Sequence, residues 1–159
     1  MRKSLAAFIV IGSALGSIGA VTAAETRVIK GEPAEVRWTS NGQSSKEDGT
    51  PLIVDGLSVG DVVDVQIGAG MPHGFVTIKQ IVNPPDDNEN RDIVLACGED
   101  KAAKPNAVLQ EIECGAKSNF GQAFMGSLKL QLLPTFKNDV NFWCTEHLFG
   151  MTGTLKLKP

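Results

Sequence analysis

Residues 142–153 read Phe-Trp-Cys-Thr-Glu-His-Leu-Phe-Gly-Met-Thr-Gly. The stretch is entered from Val140-Asn141-Phe142-Trp143, a run rich in β-formers. It leaves into Thr154-Leu155-Lys156-Leu157-Lys158, which alternates as a half-buried strand does. Between the two runs, Cys144, His147 and Met151 are spaced C-x2-H-x3-M. A cysteine ending one strand and a methionine opening the next leave only a short loop, and the histidine lies on it. Three soft or borderline donors on one tight loop can converge on a single ion.

The sequence contains one other histidine, His73, in Gly70-Met71-Pro72-His73-Gly74-Phe75 immediately before another strand-like run. Two imidazoles, one thiolate and one thioether are the donor set of a His2Cys copper site with a weak axial Met. Zinc accepts cysteine and histidine but rarely recruits thioether sulfur. Taken singly, each residue has a plainer reading: a structural histidine, a small buried thiol, a methionine filling core. The joint spacing at a strand junction favours ligation for all four.

Outward from this stretch, strand-like runs recur at 26–30, 34–39, 52–54, 62–67, 75–80, 93–96, 128–133, 140–144 and 152–158. Turn signals fall between them at Asn41-Gly42, Asp48-Gly49, Asp55-Gly56, Gly60-Asp61 and Gly68-Ala69-Gly70. Many short strands with regular turns predict an all-β fold, an antiparallel sandwich or barrel. One region breaks the rhythm. Residues 83–125 turn polar and form a long insertion, with a candidate short helix at 105–112 opened by Pro105. Of the three cysteines, Cys97 and Cys114 lie in this insertion and Cys144 outside it. Their proximity favours a Cys97–Cys114 disulfide that staples the insertion and leaves Cys144 over. Pairing of either one with Cys144 is the alternative.

The N-terminus has a basic start at Arg2-Lys3, a small-residue apolar run over 5–21 and a small-residue exit at Ala23-Ala24, the pattern of a secretory signal peptide over 1–24. Glycines and serines dilute the apolar run, which suits a spanning anchor poorly. Residues 25–159 are then expected to form one exported domain, in a compartment where disulfides persist. The net charge is −3, and loss of Arg2 and Lys3 makes it more negative. An acidic chain is a poor partner for nucleic acid, whose phosphates need a basic surface, and no second long apolar run predicts stable membrane insertion. The acidic run Asp86-Asp87-Asn88-Glu89 reads as a solvated loop, with steering of a basic partner as the other reading.

The chain resembles the cupredoxins, small blue-copper electron carriers of the plastocyanin, amicyanin, pseudoazurin and azurin kind. The resemblance rests on Gly60-Asp61-Val62-Val63, Met71-Pro72-His73, residues 140–147 with an aromatic before the cysteine, and Gly150-Met151-Thr152-Gly153-Thr154-Leu155. It covers about 25–82 and 126–159. It implies a Greek-key β-sandwich holding one type 1 copper ion through His73, Cys144, His147 and Met151. One departure stands out: the family usually has Asn after the first histidine, tying the ligand loops together, and here that position is Gly74. A binuclear copper domain of the cytochrome oxidase type would need two cysteines on the ligand loop, and only Cys144 is there.

These readings together predict a soluble periplasmic protein that carries single electrons between redox partners, a c-type cytochrome or a periplasmic oxidoreductase, and is not an enzyme. Met71, Pro72, Leu148 and Phe149 are the expected apolar docking rim around His147, since redox encounters use small interfaces. The alternatives are a periplasmic copper-binding or copper-delivery protein of the same fold, an electron-delivery subunit of a larger oxidoreductase, and a metal-free interaction module with Cys144 in an intermolecular disulfide.

Overall fold

A computed structural model describes residues 23–32, 34–81, 95–97, 107–113, 120–147 and 150–159. Its strands are β1 (Thr26–Gly31), β2 (Trp38–Ser40), β3 (Gln43–Ser44), β4 (Leu52–Leu57), β5 (Val62–Ile67), β6 (His73–Gly74) and β7 (Val76–Ile78). These are followed by β8 (Leu95–Cys97), β9 (Leu109–Glu111), β10 (Ala123–Phe124), β11 (Gly126–Leu132), β12 (Val140–Trp143) and β13 (Thr152–Leu157). Among the described residues no helix is long and apolar enough to cross a membrane. The expected leader over 1–24 lies outside the described residues except for Ala23 and Ala24, as does the acidic run at 86–89.

A large sheet runs β3-β2-β1-β5-β11-β9-β8 and a second runs β4-β13-β12-β7, with β10-β6 as a small ribbon. Alternation explains how the two sheets face each other. Val63, Val65 and Ile67 of β5 and Leu128, Leu130 and Leu132 of β11 send every second side chain into one core. Leu52, Val54, Leu57, Phe142 and Leu155 meet them from the second sheet. This is a sandwich, and the all-β expectation holds. The pairing is not purely antiparallel, because β1·β5, β4·β13 and β8·β9 run parallel.

Three local differences from the sequence reading have physical causes. The turn expected at Asp55-Gly56 lies inside β4: Gly56 takes φ 70°, and the β4·β13 register shifts between Leu155 and Leu157. The extra residue resets the alternation, so Leu57 rather than Gly56 reaches the core. The helix expected at 105–112 is corrected as well, since Leu109–Glu111 is strand β9. Its two edges are filled by β11 and β8, so ladder bonding overrides a weak local preference. Finally, the described parts of the 83–125 insertion are built into the sheets rather than appended to them, with β8 and β9 extending the large sheet. The predicted Cys97–Cys114 bridge cannot be placed: Cys114 and the Cys97 side chain lie outside the described residues.

Asn41-Gly42 behaves as read. Both residues have positive φ, 48° and 77°, and they join Ser40 to Gln43 in a two-residue hairpin. That turn returns the chain so that Ser45 lies beside Trp38, which matters for the site below.

Near the ligand loop the packing is unforgiving. Gly153 pairs with Phe142, and a Cβ at Gly153 would overlap Phe142 Cζ and sit 2.6 and 2.8 Å from Cε1 and Cε2. Phe142 has no exposed surface and stacks on Phe75 with centroids 4.8 Å apart. Gly153→Ala is expected to cost about 3 kcal/mol, the upper end of ordinary overpacking. In thermal unfolding that is a fall in Tm of roughly 10 °C. An unchanged Tm would contradict this packing.

Candidate metal centre

His73 is carried by β6, which pairs with β10 through Phe124↔His73. Its imidazole has no exposed surface and sits over the end of β1. A Cβ at Gly31 would lie 2.8 Å from His73 Cδ2, so only a glycine there lets the ring settle. His73 Nε2–H donates to the Glu32 carbonyl at 3.1 Å. In the neutral ring that bond puts the proton on Nε2 and leaves the Nδ1 lone pair facing the site. Burial, opposed by the Glu32 carbonyl and aided by the nearby His147, holds the His73 pKa below its usual value. The ring is thus held in its ligating form.

Cys144 follows β12 directly. Its backbone N–H donates to the Met151 carbonyl at 3.0 Å, closing the loop of residues 145–150 at its base. Among the described residues the Cys144 thiol is free and buried. Burial pushes its pKa up, while backbone N–H groups of Gly74, Glu146 and His147 pull the other way. The Gly74 N–H donates to Sγ at 3.4 Å. A buried sulfur surrounded by amide donors but short of a full counter-charge is suited to a cation, which deprotonates a coordinating thiol outright.

His147, half-buried, completes the cluster. Its Nδ1 lies 3.1 Å from His73 Nδ1 and 3.5 Å from Cys144 Sγ, and Cys144 Sγ lies 3.7 Å from His73 Nδ1. An ion about 2.0 Å from imidazole nitrogen and about 2.3 Å from thiolate sulfur separates two nitrogens by roughly 3.1 Å at an angle near 100°. It separates nitrogen from sulfur by roughly 3.5 to 3.7 Å at angles of about 110° to 120°. The three observed separations are those of ligands sharing one ion. The residues present therefore fit a first-row transition metal.

Met151 is fully buried, across the strand pair from Cys144. A clamp that the sequence reading did not find holds it there. Trp38 Nε1–H donates to the Met151 carbonyl at 2.8 Å. Ser45 Oγ donates to the Gly150 carbonyl at 2.7 Å and accepts from the Trp38 backbone N–H at 2.9 Å. The Trp38 ring also lies 5.9 Å from the His73 ring and 6.1 Å from Phe142, so one side chain supports both ends of the centre. The only sequence signal was an isolated tryptophan in a strand-like run. Of the expected rim, Met71 is half-buried and Pro72 exposed, while Leu148 and Phe149 lie outside the described residues.

No family model matches the chain, and no curated protein matches it. Solved structures do. Amicyanin from Paracoccus versutus is 14% identical, with 82% of this chain and 79% of that chain covered and a TM-score of 0.38. Plastocyanin from Dryopteris crassirhizoma is 17% identical over 82% of this chain and 99% of that one, with a TM-score of 0.42. Auracyanin A, a "blue" copper protein from Chloroflexus aurantiacus, is 16% identical over 84% and 98%, with a TM-score of 0.41. Each of these three proteins is one to which this chain is similar, at low identity.

Proposed function

We propose that the protein is an exported, periplasmic electron carrier holding one type 1 copper ion through His73, Cys144, His147 and Met151. The observation that carries the proposal is the convergence of two imidazole Nδ1 atoms and the Cys144 sulfur within 4.8 Å of one another, from β6, the end of β12 and the loop that follows it. Copper bound there supplies a one-electron couple. The chain's own residues do the rest. Glu32 and Gly31 hold His73 with its lone pair inward, the Gly74 amide supports the sulfur, and Trp38 with Ser45 anchors Met151. Donors held by these contacts need little rearrangement when the charge at the centre changes. With Met151 as the fourth donor no position is left for a substrate, so the protein is read as a carrier rather than an enzyme.

His147 is the half-buried ligand, whereas His73 and Cys144 have no exposed surface, so its ring is the port through which electrons enter and leave. Met71, Pro72, Leu148 and Phe149 would surround it as the docking rim for a c-type cytochrome or a periplasmic oxidoreductase. A Cys97–Cys114 bridge stapling the insertion belongs to the same proposal, and Cys144 is free among the described residues. Titration of the mature chain with copper(II) tests the function. One equivalent should bind with intense visible absorption, a thiolate-copper electron-spin-resonance signal and a reversible one-electron wave. A colourless, redox-silent complex would overturn the proposal, and a coloured complex that cycles poorly would favour copper delivery over electron transfer.

A further inference from the structure

Gly74 follows the first ligand, and its φ is not positive, so backbone conformation does not demand a glycine there. Space does. A Cβ on Gly74 would overlap Thr145 Oγ1, lie 2.9 Å from Thr145 Cβ and lie 3.1 Å from the Gln122 carbonyl oxygen. Thr145, the residue after Cys144, thus occupies the volume that any side chain at position 74 would need. Its Oγ1 is buried and has no hydrogen-bond partner, so the hydroxyl does not tie the two segments by polar contact. The same close approach brings the Gly74 N–H to Cys144 Sγ at 3.4 Å.

We infer that Gly74 and Thr145 are a coupled pair of positioning residues. The Thr145 side chain, seated where Gly74 lacks a Cβ, sets by shape alone the distance between the segment carrying His73 and the loop carrying Cys144 and His147. The inference rests on the metal reading of this site, but the coupling itself is a property of the metal-free chain. A side chain at 74 must push Thr145 away, and with it the adjoining sulfur, so the loss appears first in the cage and then in the ion it holds.

The test compares Gly74→Ala, Thr145→Val, Thr145→Gly and the double variant Gly74→Ala/Thr145→Gly with the wild-type mature chain. It reads metal-free Tm, copper(II) affinity and the position of the thiolate-copper absorption band. Gly74→Ala should lower the metal-free Tm, weaken copper binding roughly 10- to 100-fold, as loss of an outer-shell support does, and shift the band. Thr145→Val keeps the shape and drops the hydroxyl, so it should retain the wild-type band and affinity. The double variant should recover most of what Gly74→Ala lost, giving a non-additive cycle. An unshifted band and unchanged Tm in Gly74→Ala, a Thr145→Val loss as large as that of Gly74→Ala, or strict additivity would each overturn the inference. If Gly74→Ala does not fold, the double variant decides: folding supports the pair, and failure overturns it. If the wild-type chain takes up no copper, the function proposal fails, and the metal-free cycle still decides the coupling.

Discussion

Cys144→Ser is expected to leave a folded chain that has lost tight copper(II) binding, with affinity down by more than about 100-fold, beyond what loss of an outer-shell partner costs. The reason is the chemistry of one atom. Soft thiolate sulfur is the donor that selects copper, whereas a serine hydroxyl is hard and stays protonated near neutrality. Its oxygen can still accept the N–H that Gly74 now gives to sulfur, so the fold keeps that contact. The visible absorption should vanish with the sulfur, because it arises from charge moving between thiolate and copper. Absorption and competition titrations on wild type and variant check this directly. A variant that kept the band would show that some other atom holds the ion.

Trp38→Ala is expected to have the largest effect on stability. Trp38 has no exposed surface and packs its ring against those of His73, Phe75 and Phe142. Truncating a buried tryptophan costs roughly 3–5 kcal/mol, a large share of the total stability of about 5–15 kcal/mol typical of a domain. The lost Nε1–H adds to this, since the Met151 carbonyl would keep only the Cys144 N–H. A fall in Tm of roughly 10–20 °C follows. Trp38→Phe separates the two contributions, because it preserves aromatic bulk and loses the bond, worth about 1 kcal/mol. Denaturant unfolding of both variants measures the split. Near-wild-type stability in Trp38→Ala would mean that the ring is not the keystone of this end of the sandwich.

How much of this was legible in the sequence depends on what kind of contact carries each feature. Strands β5 and β13 show in the sequence because their alternation is a property of their own residues. Strand β9 does not, because what makes Leu109–Glu111 extended is the pair of neighbours on its two edges. The bulge in β4 looked like a turn, since Asp-Gly serves both purposes and only the partner strand tells them apart. Cys144, His147 and Met151 could be read together because one loop carries them. Their supports could not. The Trp38 bond to Met151 spans 113 positions, and the support from Glu32 comes from its backbone carbonyl, which no side-chain identity reveals. Gly74 was visible as a departure from a family pattern, but its reason lies in Thr145.

Strand β1 lies parallel to β5, and β4 lies parallel to β13, the last strand of the chain. The donors are as widely separated, with His73 and Cys144 71 positions apart. Contacts of this kind reward the chain only after long loops have closed, so such topologies fold in roughly milliseconds to seconds rather than microseconds. The cage exists only once these long-range contacts have closed, because His73 and Cys144 come from distant parts of the chain. An ion arriving during folding would meet scattered donors, and one arriving afterwards a finished socket. The timing of metal loading is thereby tied to the speed at which the sandwich closes.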